Sequence, residues 1–447
     1  MTEVATKKKS SKKKTVHKSG TNDRDVYIVD GSRTPFLKAK GKPGPFTSAD
    51  LVLGCARPLM ARQAFELDAL DEVVMGCVMP GPDEANIARV IALRLGCDEH
   101  IPAWTVQRNC ASGLQAIDSA AKDIMLGRAD IVLAGGVESM SHSPVLLNNN
   151  MVTWLGAWAG AKTFPQRLST LAKLRGNFFK PIIGLLRGLT DPVVGLSMGQ
   201  TAENLAYHFN ISREQMDEFA VRSHLRLASA QQQNLFEEVE VIYDTKGKFY
   251  DADDGVRPDS VVEKLVTLKP VFDRPFGLVT AANSAQITDG AAMLILASGD
   301  AVKQHNLPTL GKISDTHWAG LAPEQMGLGP VHAITPILKR NKLTIDDIDF
   351  WEINEAFAAQ VLGCLAAWKD KEYCKTELGL NSPLGSLDQD KLNIHGGGIS
   401  IGHPVGASGA RIVLHLLHTL KQNNKDKGIA SLCIGGGQGG AMLVERT

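Results

Sequence analysis

The chain has 447 residues, enough for one large domain or two to three ordinary ones around a substantial core. A hydrophobic fraction of 44%, a charged fraction of 21% and 48 basic against 48 acidic residues define an ordinary soluble globular protein, with no general reason to expect a nucleic-acid partner. The 7 cysteines are odd in number, irregularly spaced and contain no CxxC, which disfavours a disulfide framework or a zinc site and suits a reducing compartment.

Residues 1–24 are Lys-rich and contain no hydrophobic segment, so they read as a disordered basic tail and not as a secretory signal. No apolar run in the chain reaches the roughly 20 residues that span a bilayer. Order is expected from Val26, where VYIVDGSRTPF reads as a strand ending in a turn. SADLVLGCARPLMARQ has helical periodicity, and DEVVMGCVMPG reads as a buried strand ending in glycine. This alternation predicts an α/β architecture with mostly parallel strands.

An internal echo sharpens the prediction. CASGLQAIDSAAKDIMLGRADIVLAGG, from Cys110, and GASGARIVLHLLHTLKQNNKDKGIASLCIGGG, from Gly406, each have an ASG start, an apolar-periodic helix, a polar turn, a hydrophobic strand and a glycine pair. Two copies of one unit predict two similarly folded halves. Between them, roughly 145 to 275, lies an irregular stretch. In it Lys162, Arg167, Lys173, Arg175, Lys180 and Arg187 alternate with Trp154, Trp158, Phe164, Phe178 and Phe179, and residues 151–190 contain no acid. That pattern fits a surface that meets a membrane or a partner, and equally a helical cap packed on the core.

Four segments carry the candidate chemistry. Cys110, in QRNCASG, precedes an apolar-periodic helix, where unpaired N–H groups and the helix dipole are expected to lower a thiol pKa. His403, in HGGGISIGHPVGASGAR, occupies a bare glycine-rich loop in which an imidazole can serve as base. Cys433 ends a strand that enters the glycine run of CIGGGQGG, whose N–H groups can cradle an oxyanion or simply make a tight strand-to-strand turn. Asn354 and Glu355, in FWEINEAFAAQ, sit where a strand runs into a helix, a place for site-facing polar groups or for capping by Asn354.

Taken together, SRTPF, NCASG, GGVESMS, TAANSAQITDGAA, NEAF, GHPVGASGAR and CIGGGQGG, in that order over nearly the whole chain, resemble the thiolase family. The resemblance implies a thiolase fold: duplicated βαβαβαββ halves in α-β-α-β-α layers, with an inserted loop domain. The halves fall at 25–145 plus 275–300 and at 301–447, and the loop domain at 146–274. It implies that Cys110 is the acyl-accepting nucleophile, His403 its base, and Cys433 the acid/base at the substrate α-carbon. Asn354 would hold a water that completes one oxyanion hole with His403, and the N–H groups of Cys110 and Gly435 would form the other. Arg257, Met198, Ser284 and Phe357 fall in stretches that line the CoA and pantetheine path. No metal or tightly bound cofactor is implied; CoA and acyl-CoA are substrates. Ser197 stands where short-chain members usually carry histidine, and the hydrophobic insert looks like that of the β subunit of the fatty-acid-oxidation trifunctional complex. Both features favour a degradative 3-ketoacyl-CoA thiolase over a biosynthetic acetoacetyl-CoA thiolase or a condensing enzyme. The expected partners are a second copy of the chain, a hydratase/dehydrogenase α subunit and a membrane surface. The expected location is a bacterial cytoplasm, with a mitochondrion as the alternative. His395, before the glycines of its loop, replaces the residue more usual there and receives no role from the sequence.

Overall fold

The computed structural model describes residues 24–447, so the basic tail expected over 1–24 lies, except for Arg24, outside the described residues. Arg24 pairs with Asp130. The chain alternates through β1 (Val26–Arg33), α1 (Ser48–Ala61), β2 (Glu72–Gly76), α2 (Ile87–Leu95), β3 (Ala103–Val106), α3 (Ser112–Met125) and β4 (Ile131–Ser139). It then leaves the sheet for a long excursion that includes α4 (Asn149–Gly160), α5 (Phe164–Ala172), α6 (Met198–His208) and α7 (Arg213–Gln232). It returns as β5 (Thr288–Ser298) and continues through β6 (Gly311–Gly320), α8 (Gly329–Asn341), β7 (Phe350–Ile353), α9 (Ala358–Lys369), α10 (Ser408–Gln422), β8 (Lys427–Ile434) and β9 (Gln438–Arg446).

The main sheet of the described residues has ten strands, nine of them in the order β7-β8-β9-β6-β1-β5-β4-β2-β3, with Leu37–Lys38 paired to β5. The order repeats itself about the β6/β1 junction. Strand β2 runs parallel to β4, which is antiparallel to β5, which is antiparallel to β1. In the other half β7 runs parallel to β8, which is antiparallel to β9, which is antiparallel to β6, so the mostly parallel sheet expected from the alternation is corrected to a mixed one with more antiparallel than parallel pairs. Within this sheet the halves meet where Tyr27 and Ile28 pair with Lys312 and Gly311.

Side-chain alternation along each strand distributes residues between cores on opposite faces. Val73 and Met75 pack under α1 and α2, while Val74 between them faces α3 and α10. In β8, Ile429 and Cys433 face α8 and α9, while Ala430, Leu432 and Ile434 face α3 and α10. The result is five layers: outer helices, half-sheet, the central pair α3 and α10, half-sheet, outer helices. The two echoed segments are this central pair with the strands that follow them. Small residues let them approach: a Cβ on Gly113 would stand 2.8 Å from the Gly406 carbonyl oxygen, and one on Gly136 would stand 2.0 Å from it.

Residues 145–190 are not a cap buried on the core. Met151 is the one buried residue of α4, and α5 has none. The two helices hold each other: Trp154 Nε1 donates to the Thr170 carbonyl at 2.8 Å and its ring stacks on Trp158. Phe164 and Leu168 on α5 and Phe179 in the short 3-10 turn that follows are exposed by 79%, 58% and 62%. No helix among the described residues is long and apolar enough to cross a membrane.

Candidate active site

The turn before α3 is built to present Cys110. Asn109 adopts φ 43°, a left-handed conformation that Asn tolerates, and its amide donates to the Gly435 carbonyl at 2.8 Å. Ser112 closes the turn, accepting from Arg108 N at 2.8 Å and donating to the Asn109 carbonyl at 2.8 Å. Helix α3 begins at Ser112, two residues beyond Cys110. Burial pushes the Cys110 thiol up from its ordinary pKa, while the N–H groups of Gly435 and of Cys110 itself, directed at the sulfur, pull it down. The lowered pKa expected from a helix start is therefore corrected. The resting group is a thiol, and a base has to remove its proton.

His403 supplies a base of fixed tautomer. Its Nδ1 lies 2.6 Å from Ser408 Oγ, and that hydroxyl donates to the Pro404 carbonyl at 3.1 Å. With its only proton so engaged, Ser408 accepts from Nδ1–H, leaving Nε2 unprotonated. Nε2 faces the side-chain amide of Asn354 at 3.5 Å. Burial, and then the positive charge of Arg411, lower the His403 pKa to about 4, so the imidazole is neutral near pH 7.

Asn354 follows β7 and extends its ladder, donating its N–H to the Ser431 carbonyl at 2.9 Å. It does not cap α9, whose N-cap is Phe357. Its Oδ1 is buried without a protein partner, which leaves an acceptor for a water or a ligand. Glu355 turns away from the cavity. It accepts from Ser223 Oγ at 2.6 Å, Asn393 Nδ2 at 2.9 Å and Ile399 N at 3.2 Å, which pins the glycine-rich loop before His403.

Cys433 is the last residue but one of β8, and Gly435–Gly437 form the tight turn into β9. Burial, then the nearby Cys110 and Cys364, push its thiol well above the ordinary range. Such a group is a neutral proton donor at rest and a strong base once ionised, as exchange with carbon requires.

Cys110, His403 and Cys433 line one cavity of about 300 Å³, together with Met198, Ser284 and Phe357. Ser197 also lines it and N-caps α6, where its Oγ accepts from Gln200 N at 3.3 Å. Phe272 closes a wall edge-on to Phe357, their ring centroids 5.9 Å apart. Gly435 abuts it: a Cβ there would lie 3.2 Å from the Met198 sulfur. Arg257 is not brought in. It is exposed, outside the cavity lining, and its N–H donates to His224 Nδ1 at 3.2 Å.

Three supporting residues escaped the sequence reading. Ser408 was visible five residues after the loop histidine, without a sign of its role. Glu138 is the one carboxylate of the apolar run IVLAGGVES. It accepts from Val78 N, Met79 N and Gly406 N at 3.0, 2.9 and 3.1 Å, joining the two halves beside the cavity, and burial raises its pKa to about 7. Gln286 donates to the carbonyls of Gly255 and Ile399 at 2.9 and 3.0 Å, and its own carbonyl accepts from His403 N at 3.0 Å. His395 ends a buried relay: its Nδ1 is 3.1 Å from His415 Nε2, and His415 Nδ1 is 2.8 Å from Glu238.

Two thiols, a neutral imidazole and directed backbone N–H groups, set in an apolar cavity between duplicated halves, mark an acyltransferase that can work through a thioester. The sequence places the chain by family: it matches the thiolase N-terminal domain over residues 26–300 and the thiolase C-terminal domain over 307–446, and it belongs to the thiolase family. It is 38% identical to a β-ketoadipyl-CoA thiolase of Pseudomonas aeruginosa, over 95% of this chain and 99% of that one. It is 37% identical to the mitochondrial 3-ketoacyl-CoA thiolase of Rattus norvegicus, over 95% and 99% of the two chains. It is 36% identical to the mitochondrial trifunctional enzyme β subunit of Bos taurus, over 99% and 92%. Among solved structures, human mitochondrial 3-ketoacyl-CoA thiolase in complex with CoA superposes with a TM-score of 0.81 at 35% identity, covering 95% of this chain and 98% of that one. A Bacillus anthracis acetyl-CoA acetyltransferase gives 0.82 at 35% identity, covering 96% and 100%.

Proposed function

We propose that this thiolase cleaves 3-ketoacyl-CoA with CoA, releasing acetyl-CoA and a shortened acyl-CoA in fatty-acid β-oxidation. The observation that carries the reading is the convergence of Cys110, His403 and Cys433 on one cavity, with Asn354 facing His403 Nε2. His403 takes the Cys110 proton and the thiolate attacks the 3-keto carbon. The Cα–Cβ bond breaks, and the leaving acetyl-CoA enolate is held by His403, now carrying that proton, and by a water on Asn354. Cys433 protonates the enolate carbon and becomes a thiolate. A second CoA gives its thiol proton to Cys433 and attacks the acyl-Cys110 thioester, whose oxygen is held by the N–H groups of Cys110 and Gly435. Cys110 leaves and recovers its proton from His403. Losing one such oxyanion donor typically raises a barrier by about 2.7–4 kcal/mol.

Relatives named for β-ketoadipyl-CoA and for acetyl-CoA transfer share this chemistry, so substrate choice rests on the cavity. Its lining includes Met140, Leu189, Met198, Phe272, Ile287, Met326 and Phe357, and no lysine or arginine. An apolar wall suits an alkyl chain and offers no counter-ion to a terminal carboxylate. The test is CoA-dependent cleavage over 3-ketoacyl-CoAs from four to sixteen carbons, with β-ketoadipyl-CoA alongside. Cleavage that extends to the longer chains supports the reading. Turnover confined to β-ketoadipyl-CoA, or to four carbons, would overturn it.

The exposed apolar face of α4 and α5, with its lysines and arginines, supports peripheral contact with an anionic lipid surface. Co-sedimentation with anionic vesicles, lost on Phe164→Ser with Phe179→Ser, tests this. A hydratase/dehydrogenase subunit that co-purifies and masks the same face would replace it. We further propose that the enzyme works as a homo-oligomer in the cytoplasm of a bacterium, which light scattering and fractionation can check.

A further inference from the structure

Two rungs connect the β7 strand to helix α10. The first belongs to the site: Asn354 faces His403, and His403 is held by Ser408. The second is a buried ion pair in which Arg411 Nη1 donates to Glu352 Oε2 at 2.9 Å, the side chains 1% and 4% exposed. Glu352 and Asn354 are two apart in extended chain and point to one side of the strand. Ser408 and Arg411 are three apart and share one face of the helix. The second rung therefore runs beside the first, one strand repeat and one helical turn away.

A buried ion pair is weak evidence for stability, because apolar side chains of similar volume often do as well in its place. What it does supply is one geometry: Arg411 meets Glu352 in a single buried arrangement. We infer that Arg411 and Glu352 are positioning residues for the reaction, fixing the register of α10 on β7 and with it the gap between His403 Nε2 and the Asn354 amide. The proposed enolate oxygen and its water must rest against both groups at once, so the inference rests on the thiolytic reading. The charged and titratable groups around His403 are Arg411 on α10, Glu352 and Glu355 on β7 and its continuation, Glu138 at the end of β4, and the Cys110 and Cys433 thiols. Of these, Arg411 acts most on the ring, in the direction that keeps it neutral.

The experiment replaces both partners at once, Arg411→Met with Glu352→Met, so that no buried charge is left unpaired. Expected are a melting temperature near wild type, KM values within about threefold, kcat reduced at least tenfold, and the acid limb of kcat/KM moved to higher pH. The limb moves up because Arg411 is the charge that acts on the His403 ring, and losing Glu352 with it does not offset that loss at the ring. Arg411→Lys keeps the charge but changes the length and shape of the group that reaches Glu352 Oε2, so kcat should fall with the acid limb unmoved. If the double variant does not fold, Arg411→Lys decides alone. Wild-type kcat in either variant, or a lowered kcat that follows thermal stability with no difference between their acid limbs, would overturn the inference. Wild-type enzyme without thiolytic activity would sink the functional reading itself.

Discussion

Gly113 lies against the carbonyl oxygen of Gly406, so close that a Cβ on Gly113 would stand 2.8 Å from that oxygen and 3.0 Å from Ala410 N. The contact joins the first turn of α3, three residues after Cys110, to the segment three residues after His403. It is where the two halves set their distance. Gly113→Ala should force them apart and cost about 1–3 kcal/mol of stability, the usual range for overpacking. It should also lower acylation by displacing Cys110 from its base. Gly156→Ala, on α4 with no neighbouring atom within 4 Å of the new carbon, is the matched control and should be neutral or slightly stabilising. Thermal melts and acylation rates of the two variants check this.

Ser408 fixes which nitrogen of His403 carries the proton. Ser408→Ala removes the acceptor at Nδ1, freeing the ring to turn or to adopt the other tautomer. We expect kcat to fall by about tenfold or more, in line with roughly 1–3 kcal/mol for an unsatisfied buried group, with KM little changed. Ser408→Thr, which keeps the hydroxyl, should restore part of the rate. A rise in KM with kcat intact would place Ser408 in substrate binding instead.

Acid should destabilise the protein well above the ordinary carboxylate range. Burial, the first cause in each case, lowers His224, His395 and His403 to about 4 from the ordinary 6.5. Between about pH 6.5 and 4 the unfolded chain therefore binds protons that the folded chain refuses, so stability falls as pH falls through that window. Glu138 acts in the opposite sense: raised from 4.5 to about 7, its cost grows as pH rises from the one value to the other. His317, His332 and His418 are lowered in the same sense and Glu238 is held below the ordinary carboxylate range, while Glu352 and Glu355 are raised with Glu138, so the groups that lose stability toward acid outnumber those that gain it. Melting temperatures from pH 7.5 to 4.5 should decline, and His395→Asn should make the decline shallower.

The alternation of elements, the duplicated halves and the main site segments were legible in sequence because each has a local signature: period, glycine turn or motif. What was not legible depends on contacts across the fold. Cys110 looks like a helix-start thiolate in its own segment, yet burial sets its pKa and the base comes from 293 residues further along the chain. Ser408 and Arg411 were in plain view within GASGAR, but their partners, His403 through a turn and Glu352 from another element, appear only once α10 packs on β7. His395 had no reading until its relay to His415 and Glu238 was visible.

The central claim is that Cys110 carries the acyl group while Cys433 exchanges protons with carbon. It is tested most directly by incubating Cys433→Ala with acyl-labelled acyl-CoA, mapping the label, and following α-proton exchange of acetyl-CoA in deuterated water. Expected is a thioester on Cys110, formed at a reduced rate and absent when Cys110→Ala is added, with exchange abolished. Exchange at the wild-type rate in Cys433→Ala, or label on any residue other than Cys110, would contradict it.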